Sequence, residues 1–255
     1  MPLEAIADGD SVANAEALTN RKWLAMSTPS EAITTQIGEN VRRLLRQVLG
    51  HVDAPTEGTV SCAGALLRPS KGLREFCSAI HTPEGLQILD LGAASQANIN
   101  FVTGLGHRLC TEDLHRCLEL FTSRSMVTAD PDTETDRFFR ENLQYQHSQF
   151  DGALCWDLFD FLPDTLVKPL VERLFELIKP AGHLLAFFHS GQPGQLLPIC
   201  QYRIHSQEQL QVNERAPAKL RRAINNRGIE SLFRNYASLK FFLTKDSLRE
   251  VVIVR

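Results

Sequence analysis

The sequence predicts an α/β fold, in which a doubly wound, mostly parallel sheet ends in an antiparallel strand pair and follows N-terminal helices. Three observations carry this reading. From Leu86 onward, short apolar runs alternate with segments of helical period. Strands that alternate with helices form parallel sheets covered on both faces, with the strand C-terminal ends along one ligand-binding edge. The last two apolar runs, Ser238–Thr244 and Leu248–Val254, are separated only by Lys245-Asp246-Ser247, which reads as a β-hairpin or strand pair.

Size and charge bound the rest. The 255 residues are 43% hydrophobic and 22% charged, enough for one large domain, or a domain with appendages, and a substantial core. Lys and Arg number 27 against 30 Asp and Glu, a net charge of −3. Such a chain lacks the global positive field that draws proteins onto nucleic acid or anionic membranes, although a local basic patch stays open. No apolar run approaches the ~20 residues of a membrane-spanning helix. Met1–Asp10 carries Glu4, Asp8 and Asp10 and no Lys or Arg, so no secretory n-region is expected and the cytoplasm is the expected location. Cys62, Cys77, Cys110, Cys117, Cys155 and Cys200 form no Cys-x-x-Cys pair and read as free, mostly buried thiols. The eight histidines show no ligand spacing, and no metal site is expected.

Residues 1–28 show no sustained period and read as a mobile leader. Residues 29–82 form a helical extension. Within it Ser30 caps a helix that carries Ile33, Ile37, Val41, Leu44, Leu45 and Val48 at helical spacing up to Gly50. Asp53–Gly64 is a connector, and Leu66–Ile80 is a second amphipathic helix. The main domain spans 83–255. Leu86–Leu91 is its first strand, Asn98–Leu105 a helix stopped by Gly106, His107–Asp113 the second strand, and His115–Ser123 a helix or turn. Asp130–Asp136 reads as an acidic loop, and Arg137–Tyr145 as a segment holding a short third strand. Phe150–Leu158 is the fourth strand, Leu166–Ile178 a helix and His183–Phe188 the fifth strand. An insert at about 189–236 carries a pair of short strands in Ile199–Asn213 and a basic helix over Ala216–Asn235. There are no internal repeats.

The chemistry lies at the strand ends. The first strand closes in Leu89-Asp-Leu-Gly-Ala-Ala-Ser-Gln96. Gly92 lets the backbone approach a ligand closely, and the helix that follows offers unpaired N–H groups to a carboxylate or phosphate. Glu112 and Asp113 end the second strand, where a carboxylate accepts two hydrogen bonds from a ribose cis-diol. Together these features indicate a nucleoside-containing ligand without choosing between NAD and another.

The sequence resembles the class I S-adenosylmethionine-dependent methyltransferases, whose fold is Rossmann-like. Leu89-Asp-Leu-Gly92 looks like that family's first motif, and Glu112/Asp113 like its ribose-binding acidic position. Phe150-Asp-Gly-Ala-Leu-Cys-Trp-Asp-Leu-Phe-Asp-Phe-Leu162 is similar to its fourth-strand motif, and Ile178-Lys-Pro-Ala-Gly182 to the turn into its fifth strand. Phe241–Asp246 with Arg249–Val254 fits its antiparallel last two strands. The resemblance covers roughly residues 66–255. It departs at the loop, where the family's second and third glycines are replaced by Ala94 and Gln96.

The resemblance implies S-adenosylmethionine as cofactor and a set of contacts for it. Asp90 orients the loop, and Gly92, Ala93, Ala94 and Gln96 form it. Glu112 or Asp113 takes the ribose, Asn142 and Leu143 face the adenine, and Trp156 and Asp157 flank the methionine portion. The alternative for Trp156 is a core aromatic, and for Asp157 a helix N-cap. No residue stands out as a general base; His189, Tyr202 and His205 lie where such folds contact acceptors. A small-molecule acceptor is expected. Nucleic acid is disfavoured, because the basic residues Arg215, Lys219, Arg221, Arg222, Arg227 and Arg234 lack interleaved aromatics. Three readings stand: a methyltransferase on an unidentified acceptor; a methyltransferase-like binding protein without catalysis, which Ala94 and Gln96 keep open; and an NAD(P)-dependent oxidoreductase, disfavoured by the missing later glycines and the terminal strand pair.

Overall fold

Near-continuous burial along the strands, whose side chains point alternately to the two sides, gives the central sheet two apolar faces, and each is covered. The computed structural model describes residues 66–124, 131–244 and 247–255. The expected leader, the helix up to Gly50 and the connector lie outside the described residues. In chain order the elements are β1 (Leu66–Pro69), α1 (Lys71–Ala79), β2 (Gln87–Asp90), α2 (Gln96–Gly104), β3 (Arg108–Thr111), α3 (Leu114–Arg124) and α4 (Pro131–Asn142). They continue as β4 (Phe150–Trp156), α5 (Leu158–Phe161), α6 (Asp164–Leu177), β5 (Ile178–His189), β6 (Leu196–Ser206), β7 (Gln209–Lys219), α7 (Asn226–Leu232), β8 (Ser238–Leu243) and β9 (Leu248–Val254).

The main sheet has the order β3-β2-β4-β5-β9-β8. The first four strands are parallel, while β9 runs antiparallel to β5 and β8 antiparallel to β9. The expected Rossmann-like sheet with an antiparallel terminal pair is therefore present. Winding reverses between β2 and β4, and at such a switch point the strand tips part into a crevice. Leu89, Ala153, Cys155, Leu184 and Phe188 face a core shared with α6, whereas Ile88, Leu154, Leu185 and Phe187 face a second core shared with α1. A separate three-stranded antiparallel sheet, β1-β7-β6, adds Tyr202, Ile204, Leu210 and Val212 to that second core.

Several expected elements differ. Leu66–Pro69 is a strand paired with Gln209–Val212, not the start of a helix. The helix begins only after Ser70, whose Oγ accepts a hydrogen bond from the Leu73 N–H at 3.0 Å. The expected third strand in Arg137–Tyr145 and the acidic loop before it are replaced by α4, so the sheet has six strands. Pro131 suits a first helical position, and Arg137 pairs with Glu141 one turn on at 2.9 Å. The helix expected over Ala216–Asn235 is confined to Asn226–Leu232, capped by the Asn225 side chain. Ala216–Lys219 is drawn into β7, where Lys219 stands opposite Leu196. The segment 114–124, open between helix and turn, is a helix. The five described cysteines are free thiols, Cys77 and Cys155 buried and the other three half-buried. No described helix is long and apolar enough to cross a membrane.

One buried carboxylate joins the C-terminal strand to β1 and α1. Glu250 Oε1 accepts from Arg68 Nη2 at 3.0 Å, and Oε2 accepts from Ser70 Oγ at 2.9 Å and the Gly72 N–H at 2.6 Å. Glu250→Ala removes the charge that faces the buried Arg68, a loss of about 3–5 kcal/mol for a broken buried pair. Urea denaturation is expected to show it, with Glu250→Gln intermediate; a change below ~1 kcal/mol for Glu250→Ala would contradict this role.

Candidate functional site

Asp90 ends β2 on the Ile88 face and is fully buried. Its Oδ1 accepts from the Gly92 N–H at 3.0 Å and from Trp156 Nε1 at 2.7 Å, and its Oδ2 accepts from Asn98 Nδ2 at 2.9 Å. Burial pushes this carboxyl upward from the ordinary carboxylate range, and the Asn98, Trp156 and Gly92 donors pull it back. The loop glycine answers to the same contact. A Cβ on Gly92 would stand 2.7 Å from Trp156 Cδ1 and 2.9 Å from its Nε1, so only glycine admits the indole there.

Trp156 closes β4 with φ at +51°, a left-handed conformation rarely held by a bulky residue. Such backbone persists where surrounding contacts fix it, and it clusters at functional sites. The indole is 3% exposed, stacks on Tyr202 with centroids 5.2 Å apart, and meets the edge of Phe187. Tyr202 lies on β6, and its hydroxyl donates to Asp157 Oδ2 at 3.0 Å. Asn98 binds the same strand, donating to the Tyr202 carbonyl at 3.2 Å and accepting from the Ile204 N–H at 2.7 Å. The Gln201 amide reaches the Ala94 carbonyl at 3.4 Å. The β6–β7 hairpin is thus fastened over the loop, and Trp156 and Tyr202 fill the space between Gly92 and β6.

Around this centre the other expected residues divide. Gln96 is exposed, its amide donating to Asn100 Oδ1 at 2.7 Å, so it does not enter the crevice. Ala93 is half-buried and Ala94 exposed. Ser95, at the start of α2, is buried and its Oγ has no hydrogen-bond partner. Glu112 accepts from the Tyr145 hydroxyl at 2.6 Å. Asp113 accepts from the Arg116 N–H at 3.1 Å and faces Arg215 at 3.7 Å. Asn142 donates to the Phe138 carbonyl, and the Leu143 N–H to the Phe139 carbonyl at 2.9 Å. Leu143 belongs to the core on the other face of the sheet from Trp156. Asp157 occupies the N-cap position of α5 but makes no side-chain capping bond; its carboxylate goes to Tyr202 instead.

Asn98 and His115, which sequence reasoning left aside, and the acceptor-side candidates His189 and His205 complete the arrangement. Asn98 is the third donor to Asp90. His115 Nε2 is buried without a hydrogen-bond partner, 4.0 Å from Asp157 Oδ1, and its ring meets Phe161 edge-on. His189 Nδ1 stands 2.9 Å from Asp160 Oδ2, which also accepts the His189 N–H, while His205 is exposed. Two cavities open beside His115. One of about 540 Å³ is lined by Leu118, Phe161, Ile199 and Leu220 together with the charged Glu119, Asp164, Lys219 and Arg221, and one of about 310 Å³ by Asp113, Arg116 and Arg215. Burial pushes His115 down to about 4 and Asp157 up to about 7.

The Asp157 shift has a consequence for stability. Between about pH 4, where the unfolded carboxyl ionises, and about pH 7, the folded chain keeps a proton that the unfolded chain has released. Its contribution to stability is full below that window and falls as pH rises through it. Asp157→Asn keeps an acceptor for Tyr202 and removes the titration. Thermal unfolding is expected to show a Tm gain over the unsubstituted chain at about pH 8 that shrinks toward about pH 4. A gain independent of pH would contradict the assignment.

No protein-family model matches the chain, and no curated protein sequence matches it. Among solved structures it is similar to a 1,6-didemethyltoxoflavin-N1-methyltransferase from Burkholderia thailandensis, bound to 1,6-didemethyltoxoflavin and S-adenosylhomocysteine, at 15% identity and a TM-score of 0.39 over 99% of this chain and 92% of that one. It is also similar to an S-adenosylmethionine-dependent methyltransferase from Mesorhizobium loti, at 14% identity and a TM-score of 0.42 over 71% and 96% of the two chains. A third, from Archaeoglobus fulgidus, matches at 9% identity and a TM-score of 0.43 over 72% and 91%.

Proposed function

We propose that this chain is an S-adenosylmethionine-dependent methyltransferase acting on a small-molecule acceptor, with its cofactor crevice closed by Trp156 in the conformation described. The observation that carries this reading is the glycine turn at the β2–β4 switch point, with Glu112 and Asp113 one strand away on the same sheet edge. The donor set fits a nucleoside with an amino-acid tail. The loop backbone and the orphan Ser95 hydroxyl suit a carboxylate, and Glu112 or Asp113 suits a ribose diol. When bound, the cofactor supplies a methyl group on positively charged sulfur, open to in-line displacement. The protein's share is alignment and the exclusion of water.

The indole must leave Gly92 before a ligand can approach that turn. Trp156 holds its place through one hydrogen bond to Asp90 and its ring contacts, so entry exchanges those interactions for ligand contacts. The same closure favours a second reading, a methyltransferase-like binding protein without catalysis, in which the indole stands permanently where the ligand would lie. The oxidoreductase reading shares the glycine turn and the strand-end carboxylates, and the missing later glycines and the antiparallel terminal pair weigh against it.

Calorimetric titration separates them. S-adenosylmethionine and S-adenosylhomocysteine are expected to bind the unsubstituted chain, and NAD is not. Trp156→Ala is expected to tighten both by about tenfold, about 1.4 kcal/mol, by removing the group that must move. Trp156→Phe, which keeps an aromatic core contact but not the Asp90 bond, is expected to fall between. Absence of binding to all three folded proteins would overturn the cofactor reading, whereas binding without turnover would support the non-catalytic one. Asp113→Ala is expected to weaken binding about tenfold or more; unchanged affinity would shift the ribose contact to Glu112.

A further inference from the structure

A cavity of about 540 Å³ lies between α3, α5 and the open end of the β6–β7 hairpin, and its size is ordinary for a small-molecule site. Leu118 of α3, Phe161 of α5, Ile199 of β6 and Leu220 just after β7 give it apolar walls. Four charged residues also line it, and they are not equivalent. The Asp164 carboxylate accepts from Arg222 Nε at 2.9 Å and Nη2 at 2.5 Å, so a guanidinium already neutralises it. Glu119 also lines the smaller cavity, together with His115 and Ile199, and therefore stands at the junction of the two. Lys219 and Arg221 line only the larger one. Among the described residues neither pairs with a carboxylate.

Hydrogen bonds fix the backbone that carries these two cations. The Gly194 N–H donates to the Leu220 carbonyl at 2.8 Å, the Leu220 N–H to the Gln195 carbonyl at 2.8 Å, and the Arg221 N–H to the Asp160 carbonyl at 3.1 Å. Arg222 clasps the neighbouring α5 turn through the Phe159 and Leu162 carbonyls. Lys219 and Arg221 thus leave a pinned segment on either side of the buried Leu220.

We propose that this cavity is a binding site for an organic monocarboxylate, whose acid group lies on Lys219 and Arg221 and whose apolar, ring-sized body lies against Leu118, Phe161, Ile199 and Leu220. A guanidinium fork matches the two oxygens of a carboxylate, and a second cation beside it shares the charge. A monoanion also carries less charge to desolvate against apolar walls than a phosphate dianion. The pinned backbone lowers the ordering that binding has to impose on the site. None of these residues belongs to the cofactor crevice, so the site goes beyond the methyltransferase reading and stands or falls apart from it.

2-Naphthoate is the probe, 2-naphthamide its neutral isostere and acetate the acid group alone. Calorimetry on the full chain, with no cofactor added, is expected to show 2-naphthoate binding about tenfold more tightly than 2-naphthamide and about tenfold or more above acetate. Raising salt from about 0.1 M to about 1 M should weaken 2-naphthoate and leave 2-naphthamide unchanged. Joint Lys219→Gln and Arg221→Gln substitution of these exposed residues should bring 2-naphthoate to the 2-naphthamide value. Joint Arg227→Gln and Arg234→Gln substitution removes the same charge outside this cavity and should leave both affinities unchanged. Ile199→Ala should weaken both naphthalene ligands alike. Equal affinity for 2-naphthoate and 2-naphthamide overturns the proposal, as does a preference that survives loss of Lys219 and Arg221 or falls equally with Arg227 and Arg234. Acetate binding as tightly as 2-naphthoate, or Ile199→Ala without effect, overturns the apolar half of the site, and tighter binding of 2-naphthyl phosphate overturns the monocarboxylate assignment. Failure of S-adenosylmethionine to bind is a different result, which overturns the cofactor reading alone.

Discussion

The strand-tip architecture depends on where the Asp90 carboxylate receives its hydrogen bonds. A buried carboxylate without donors would be destabilised by several kcal/mol, so its three donors are fixed in place by the need to satisfy it. Each belongs to a different piece of the site. The Gly92 N–H folds the loop back on its strand, Asn98 ties in helix α2, and Trp156 Nε1 brings the end of β4 across the switch point. The absence of a side chain at Gly92 and the left-handed backbone at Trp156 are two accommodations to this one convergence.

The second sheet gives that convergence its lid. Strand β1 near the start of the described chain pairs with β7, and β7 with β6, so Tyr202 is delivered onto Trp156 from a region far away in sequence. The buried Glu250 network fixes β1 and α1 against β9, and the hairpin therefore rests on a rigid base at one end. At that same end β6 is held by polar contacts from Asn98, Gln201 and Asp157 and by the buried Tyr202 and Ile204 side chains rather than by strand pairing to the main sheet.

Much of this was legible in the sequence because the parallel strands are buried on both faces. Runs such as Leu86–Leu91 and His183–Phe188 are apolar throughout, and a short linker marks the terminal pair. The third-strand expectation failed because Phe138, Phe139 and Leu143 serve the apolar face of a helix as readily as a strand. Strand β1 and the end of β7 were missed for a different reason: their conformation is set by pairing between segments with no local pattern in common. At the site, Asp90, Gly92 and Trp156 are brought into direct contact with one another. Asn98 was not anticipated, since its partner strand lies 104 positions away at Tyr202. His115 gave no signal either, because its burial depends on α5 and the hairpin together. Asn142 and Leu143 carry helix-terminal hydrogen bonds, a local role that motif position does not disclose.

The most direct measurement is a crystal structure of the chain grown with S-adenosylhomocysteine. The account predicts the ligand lying across the tips of β2, β3 and β4, its ribose on Glu112 or Asp113, and the Trp156 indole swung off Gly92 with its bond to Asp90 broken. A ligand bound elsewhere, with Trp156 still stacked on Tyr202 and hydrogen-bonded to Asp90, would contradict it.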